Sequence, residues 1–235
     1  MLLSFIFTSF IIFRMNSIPI LYENDEILVI NKPSGLAVQL GEGLSHSLDK
    51  DFSQSLGYKI YLVHRLDKDT SGLMIVAKSP FAASKWTKII GSKGVKKEYL
   101  ALCAGKLSAK DGVIKEELIQ HGQKKSAITN YHVEKEETFT FDDCKIYLSL
   151  IRLKLETGRM HQIRIHLARQ NCPIAGDDQH GNFKLNKILK KYLKIKKLLL
   201  CSQKLVLPLD GKNMTFEIPL PEDFNVKPVN LEKKQ

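Results

Sequence analysis

The chain has 235 residues, of which 43% are hydrophobic and 26% are charged, with 14 glycines and 8 prolines. This composition excludes collagen-like, low-complexity and wholly disordered chains, and the length suffices for a domain that needs no disulfide or metal to fold. Lysine and arginine number 36 against 25 acidic residues, a formal net charge of +11, and an excess of this size favours a polyanionic partner.

An apolar segment opens the chain. Residues 1–13 read MLLSFIFTSFIIF and carry no charge. They are too few to span a bilayer, which takes about 20 residues. The segment also lacks a basic start and a small-residue cleavage site. We therefore interpret residues 1–15 as the product of an early start upstream of Met15, or as an apolar extension, with a membrane anchor as the alternative.

A β-hairpin is predicted next. Two apolar runs within Ile20–Ile30 flank turn-forming residues, which is typical of two paired strands. Pro33 cannot donate to a strand ladder and Gly35 permits a left-handed turn, so the second strand ends there. Residues 39–59 are rich in glycine, serine and scattered polar residues, and we predict a loop or mobile segment for them.

A buried strand and an amphipathic helix follow. The continuous apolar run Gly72–Ala77 predicts a strand that is buried on both faces. Ser79 suits an N-cap and Pro80 suits the first helical position, so a helix is predicted to begin there and to end before Gly91. Another strand is predicted over Tyr99–Ala104.

The second half of the chain is predicted to contain hairpins and two helices. Residues 111–143 predict hairpins and loops. Apolar positions change phase near Leu150, which predicts a β-bulge in a long strand. Thr157 is predicted to cap a helix that ends near Asn171. Residues 184–197 contain seven lysines and no acid, a pattern that predicts a basic amphipathic helix, and the turn at residues 210–213 predicts a final hairpin.

Two dense polar segments can carry chemistry. The first, VHRLDKDTSG (Val63–Gly72), precedes the buried strand, and an aspartate among basic residues suits a nucleophile or base. On the residues alone, a turn in which Asp67 only satisfies backbone groups is the alternative. The second, ETGRMHQIRIH (Glu156–His166), offers arginines that can hold a carboxylate or phosphate in two-point contact. His161 and His166 do not share a helix face, so we expect no metal site.

Five motifs in these and neighbouring segments occur in a recognisable order between residues 20 and 224. They are NKPSGLAV (Asn31–Val38), HRLDKDTSGLMIVAKS (His64–Ser79), KKEYLAL (Lys96–Leu102), ETGRMHQIRIHLA (Glu156–Ala168) and PIAGD (Pro173–Asp177). In these motifs the chain resembles the RluA-type pseudouridine synthases. The resemblance implies an α+β fold, with a long, mostly antiparallel, bent mixed sheet flanked by helices and a site in a basic cleft across its middle.

The resemblance also implies an isomerase that acts on RNA. In its reaction the bond from ribose C1′ to uracil N1 is replaced by a bond to C5, and no metal or organic cofactor is required. Asp67 matches the family's essential aspartate, Arg164 the arginine that pairs with it, and Tyr99 the tyrosine that stacks on the target uracil. Arg65 matches the arginine that enters the RNA stack in place of the extruded nucleotide. Attack of the aspartate on the sugar, attack on the base and abstraction of a ribose proton all remain open.

The chain departs from the family pattern in two places. His180 stands where a tyrosine is usual, and residues 39–47 match weakly, which bears on substrate choice more than on activity. The lysines of residues 184–197, and those between Lys78 and Lys97, are predicted to reach RNA phosphates. A solvated helix face is the alternative reading of these lysines.

We expect residues 16–228 to form a single catalytic domain without a separate N-terminal RNA-binding domain, followed by a polar tail over residues 229–235. The four cysteines form no CxxC pair, so free thiols in a cytoplasmic protein are expected. We further expect a monomer that acts on rRNA, tRNA or both, without a stable membrane partner.

Two other functions compete with this one. The first is a non-catalytic RNA-binding or ribosome-assembly protein that keeps the fold, and the second is a membrane-tethered basic protein. The joint presence of Asp67, Tyr99 and Arg164 argues against the first, because binding alone does not require them.

Overall fold

The computed structural model describes residues 18–41, 43, 45–120, 122–141 and 144–228. The expectations for residues 1–15 and 229–235 therefore lie outside the described residues. Ten strands and four α-helices follow the chain in this order: β1 (Ile20–Glu23), β2 (Ile27–Lys32), α1 (Leu48–Leu56), β3 (Tyr61–Leu62), β4 (Ser71–Ala77), α2 (Pro80–Ile90), β5 (Lys96–Ala104), β6 (Asp111–Gln120), β7 (Gln123–Phe141), β8 (Cys144–Leu155), α3 (Gln162–Arg169), α4 (Phe183–Leu193), β9 (Leu200–Leu209) and β10 (Lys212–Glu217). A short 3₁₀ helix follows at Glu222–Phe224.

The strands form one mixed sheet. Its order is β1-β2-β4-β9-β5-β8-β7-β6, with β10 paired to β9 and β3 paired to β4. Every pairing is antiparallel except the short parallel contact between β4 and β9. The α+β class and the mostly antiparallel mixed sheet flanked by helices are thus confirmed.

Helices cover both faces of the sheet. Because side chains alternate along a strand, Leu73 and Ile75 of β4 face one core while Met74 and Val76 face the other. Buried side chains of α2 and α4 belong to the first core, and those of α1 and α3 belong to the second. Burial on both faces explains why β4 is apolar throughout, as the sequence predicts.

The centre of the sheet requires a glycine at the start of β4. Gly72 has a φ of +107°, and a Cβ added there would lie 2.3 Å from the Ser202 carbonyl oxygen of β9. Ser202 pairs with Gly72 on one side and with Tyr99 of β5 on the other. This close approach brings the segment before β4 near the middle of β5.

Several predicted elements are confirmed. The first hairpin is formed by β1 and β2. The second helix begins where predicted, because the Ser79 hydroxyl oxygen accepts a hydrogen bond of 3.1 Å from the Ala82 N–H. The last hairpin turns at Asp210 and Gly211, whose positive φ angles of 50° and 73° fit a type I′ turn.

The prediction of a loop over residues 39–59 is wrong for its second half, which forms α1. Leu48, Phe52 and Leu56 recur every four residues, and the first two are fully buried in the second core. This apolar stripe is short and lies among serines and charged residues, so the local composition hides it.

The β-bulge predicted near Leu150 lies in the neighbouring strand instead. The register between β7 and β8 shifts between Val133 and Lys135 of β7. In β8, Leu148 faces the first core and Ile151 faces the second. The change of phase therefore reflects burial of β8 on both faces, and it needs no irregularity in β8 itself.

The third helix begins later than predicted, and Thr157 does not cap it. His161 is the N-cap residue of α3, with a φ of 54° and no side-chain capping bond. The Thr157 hydroxyl donates to Gln162 Oε1 at 2.8 Å and accepts from the Ile128 N–H at 2.9 Å. Thr157 thus ties the start of α3 to β7. Within the described part of the chain, no helix is both long and apolar enough to cross a bilayer.

Candidate active site

A buried lysine shapes the loop that carries Asp67, between β3 and β4. Lys32, the last residue of β2, has no exposed surface. Its ammonium donates hydrogen bonds of 2.9–3.0 Å to the carbonyls of Pro33, Leu36 and Lys68. Burial lowers the pKa of Lys32 to about 8, while the charges of nearby aspartates act in the opposite direction. The side chain is therefore charged at neutral pH and holds two loops together.

Two further contacts fix the same loop. His64 Nε2 accepts a hydrogen bond of 3.0 Å from the Ile75 N–H. Burial, with a smaller effect of Lys97, lowers the pKa of His64 to about 3, so this ring is neutral. The Thr70 N–H donates to the Asp67 carbonyl at 3.1 Å and closes a turn. The loop thus presents the Asp67 side chain from a fixed backbone.

Arg164 of α3 joins two carboxylates that lie far apart in the sequence. Its Nε and Nη2 donate to the two carboxylate oxygens of Asp177, each at 2.8 Å. Its Nη1 donates to Asp67 Oδ2 at 3.3 Å, and Nη2 also reaches Gln179 Oε1 at 3.2 Å. Arg164 is only 4% exposed and Asp177 only 1%, whereas the Asp67 side chain is 26% exposed. The guanidinium is therefore held from behind by one carboxylate and contacts the accessible one in front.

The charges of the buried pair stabilise each other. Burial disfavours the charged Arg164, but the hydrogen bonds and charge of Asp177, and then of Asp67, outweigh it and raise the pKa of Arg164. Burial likewise disfavours ionised Asp177, but Arg164 and the N–H groups of His180 and Gln179 outweigh it and lower the pKa of Asp177. Bidentate geometry of this kind offsets the cost of removing both charges from water.

Two histidines lie on the other side of Asp67. His161 Nε2 is 3.8 Å from Asp67 Oδ1. His161 Nδ1 and His180 Nε2 share a hydrogen bond of 2.9 Å, with the rings edge to face. Each oxygen of the Asp67 carboxylate therefore has a nitrogen neighbour, from Arg164 on one side and from His161 on the other.

Tyr99 lies inside the fold beside this group. It is 8% exposed on β5. Burial raises the pKa of Tyr99 to about 12, with Ser202 acting in the opposite direction and the Asp67 charge adding to the rise. The electrostatic effect of Asp67 places the two side chains within reach of each other. Arg65, in contrast, is exposed and points away from this buried group.

The structure adds residues that the sequence analysis did not assign to the site. Asp177 falls within a motif that carries the family resemblance, but nothing in the sequence indicates its contact with Arg164. Lys32 also falls within such a motif, and its burial is invisible in the sequence because lysine is rarely buried. Among the described residues, no group of three or more His, Cys, Asp or Glu side chains is arranged to hold a metal ion.

Comparison with known proteins identifies the relatives of the chain. The family described as RNA pseudouridylate synthase matches residues 26–169, more than half of the chain. The ribosomal large subunit pseudouridine synthase C of Rickettsia bellii (strain RML369-C) is 36% identical over 220 residues, covering 88% of this chain and 69% of the relative. The protein of the same name from Escherichia coli (strain K12) is 34% identical, covering 86% of this chain and 66% of the relative. The chain thus spans about two thirds of the length of these relatives.

Solved structures share the fold. Human RNA Pseudouridylate Synthase Domain Containing 1 superposes with a TM-score of 0.71 at 23% identity, covering 93% of this chain and 91% of that one. Human RNA Pseudouridylate Synthase Domain Containing 4 gives a TM-score of 0.67 at 23% identity, covering 88% and 93%. At this identity the likeness concerns the architecture alone.

The Asp177→Asn substitution should destabilise the protein by about 3 kcal/mol, because it leaves a buried guanidinium without its bidentate partner. Since the pKa of Asp177 lies below its ordinary value of 3.8, the ion pair stabilises the fold above that pH. Its contribution is lost as the pH falls through the lowered pKa. The difference in unfolding free energy between wild type and variant, measured with urea, should therefore shrink below pH 3.8.

Asp178→Asn is the matched control. Asp178 is 80% exposed and lies 3.9 Å from the same guanidinium, so its removal should change the unfolding free energy by less than about 0.5 kcal/mol. Equal effects of the two substitutions would contradict the assignment of Asp177 as the group that holds Arg164.

Proposed function

The chain belongs to the RNA pseudouridylate synthase family, and on that premise we propose that Asp67 is its catalytic carboxylate. The protein is an isomerase that acts on RNA. The observation that supports the role of Asp67 is its position: a partly exposed carboxylate, 3.3 Å from a buried guanidinium that a second carboxylate holds in place. Binding alone gives no reason for such an arrangement.

The reaction explains why the carboxylate must be held. The bond from C1′ to N1 breaks and a bond from C1′ to C5 forms, while C5 loses a proton and N1 gains one, so no atom is lost overall. The uracil must turn during this exchange, and the sugar or the base needs a group that bonds to it or removes a proton meanwhile. A carboxylate fixed at both oxygens, by Arg164 and His161, can do this without reorienting.

Tyr99 and Arg65 have separate proposed roles. Tyr99 is a planar side chain at the floor of the site, and its ring would stack on the target uracil. Burial raises its pKa to about 12, so its hydroxyl is protonated at neutral pH. Arg65 is exposed two residues before Asp67, where a guanidinium can enter the RNA stack as the target nucleotide leaves it.

The substrate proposed for the chain is RNA of the large ribosomal subunit. The two relatives described above are named for that subunit, and they cover most of this chain. We propose that the chain acts as a monomer in the cytoplasm, since every residue assigned to the site comes from one chain.

The lysine-rich helix α4 is the proposed contact for RNA phosphates. Its beginning is fastened to the active site, because Asn186 donates to the Asp177 carbonyl at 2.8 Å and accepts from the Gly176 N–H at 3.1 Å. From there the exposed lysines run outward along the helix, while Leu189 and Leu193 pack in the first core. Phosphate contacts of this kind position an RNA without reading its sequence.

Asp67→Asn should abolish catalysis while leaving the fold intact. The assay is tritium release from RNA labelled at uridine C5, with large-subunit rRNA and tRNA taken from cells that lack the protein. Wild type should release tritium from the rRNA, and the variant should release it at least about 10³-fold more slowly. Asp69→Asn is the control, because Asp69 contributes only its backbone carbonyl to the loop through Ser34.

Full activity of Asp67→Asn would contradict the proposed role of Asp67. If wild type released tritium from tRNA alone, the proposed substrate would be wrong. A wild-type protein that binds both RNAs and releases nothing from either would favour the non-catalytic RNA-binding protein.

Removal of charge from α4 should weaken RNA binding in a salt-dependent way. In the triple variant Lys184→Gln, Lys187→Gln and Lys190→Gln, the slope of log Kd against log salt should fall by about two, because three phosphate contacts are lost. Filter binding over a range of salt concentrations measures this slope. The control replaces three exposed lysines of other elements, namely Lys110, Lys115 and Lys212, with glutamine. The same slope for both triple variants and wild type would contradict an RNA contact on α4.

A further inference from the structure

A pair of histidines from two separate segments meets beside the proposed catalytic carboxylate. His161 is the N-cap residue of α3, and its φ of 54° places it in the left-handed region. His180 comes from the loop before α4, and its backbone is fixed by an N–H bond of 2.9 Å to Asp177 Oδ1. The backbone on both sides of the His161–His180 contact is therefore anchored to the Arg164 network.

The hydrogen bond between the rings carries a single proton. With that proton on His180 Nε2, His161 accepts through Nδ1 and has its own proton on Nε2. His161 Nε2 is the atom that lies 3.8 Å from Asp67 Oδ1. The distance exceeds that of a direct hydrogen bond, but an N–H aimed at a carboxylate across it still orients the carboxylate electrostatically. His180 can thus decide which nitrogen of His161 faces Asp67.

We infer that His180 is a positioning residue, which fixes the ring and the proton of His161 so that the His161 Nε2–H faces the Asp67 carboxylate. This inference rests on the proposed role of Asp67. Arg164 contacts Oδ2 and His161 faces Oδ1, so the carboxylate cannot rotate without losing one of the two. His180 touches no reacting atom and acts only through His161.

Protonation is the step at which two imidazoles differ from an imidazole and a phenol. When only one ring is charged, the hydrogen bond survives, because the neutral partner accepts. When both rings are charged, each nitrogen carries a proton and the contact is lost. A phenol at position 180 donates to neutral His161 and accepts from charged His161, so it keeps the contact in either state.

The charges around the pair set the pH at which this occurs. Burial lowers the pKa of His180 below the ordinary 6.5; Asp177 and Asp67 act against this effect, and Arg164 and His161 add to it. These groups come from the loop of His180 itself, the β3–β4 loop and α3. The second proton is therefore taken up below pH 6.5, and the contact is present above it.

The experiment compares wild type with two variants at position 180, using the tritium-release assay with full-length protein. His180→Phe removes both nitrogens and should lower kcat about five- to tenfold at about pH 7.5, with KM changed by less than about twofold. His180→Tyr should recover most of the lost kcat. His46→Phe, in an exposed loop histidine, is the control for the substitution itself. Circular dichroism checks that each variant is folded.

The pH profile separates positioning from packing. The ratio of wild-type kcat to that of His180→Tyr should be constant from about pH 8 to about pH 6.5 and should fall at lower pH. A ratio that stays flat down to about pH 5 would overturn the inference, because a merely structural His180 gives no such change. Activity of His180→Phe equal to that of wild type would overturn it as well.

The failure of the inference is distinct from the failure of the proposed function. If wild type releases tritium and Asp67→Asn does not, while His180→Phe matches wild type, only the role of His180 is wrong. If wild type releases no tritium from any RNA, the role of Asp67 is wrong and the role of His180 falls with it.

Discussion

The buried guanidinium of Arg164 is the interaction on which the site depends. An arginine in the interior is costly unless its charge and its N–H groups are matched, and Asp177 matches them with two hydrogen bonds of 2.8 Å. One N–H direction then remains for Asp67. Because Asp177 is itself held by backbone N–H groups, the position of Asp67 is set by α3 and the following loop as much as by its own.

The sheet supplies the second constraint. The loop of Asp67 leads into β4, and Tyr99 lies on β5, so the two meet only because both strands flank β9. Gly72 allows β4 to approach Ser202 more closely than any side chain would permit. The elements that bring the site together are thus the central strands, and both faces of these strands are covered by helices. A site built on such strands is rigid, which is what a positioned carboxylate needs.

Much of the fold could be predicted from the sequence, because β4, α2 and the two terminal hairpins carry strong local signals. The helix α1 was missed because its three apolar residues are diluted by polar neighbours. The bulge was assigned to the wrong strand because one strand's pattern cannot show its partner's register. The site divides in the same way. Asp67, Tyr99, Arg65 and Arg164 came from the family resemblance, and their roles stay predictions. The contact of Asp177 with Arg164 and that of His180 with His161 depend on tertiary distances, which no spacing in the chain reveals.

The proposal that Arg164 holds the catalytic carboxylate has one direct test. In Arg164→Lys a single ammonium replaces a fork and cannot serve Asp177 and Asp67 together. The measurement is kcat and RNA affinity of this variant, with its folding checked by urea unfolding. We expect kcat to fall at least about 10²-fold while RNA affinity changes by less than about threefold, because only the positioning of the carboxylate is lost. A folded Arg164→Lys protein with kcat within about twofold of wild type would contradict the proposal.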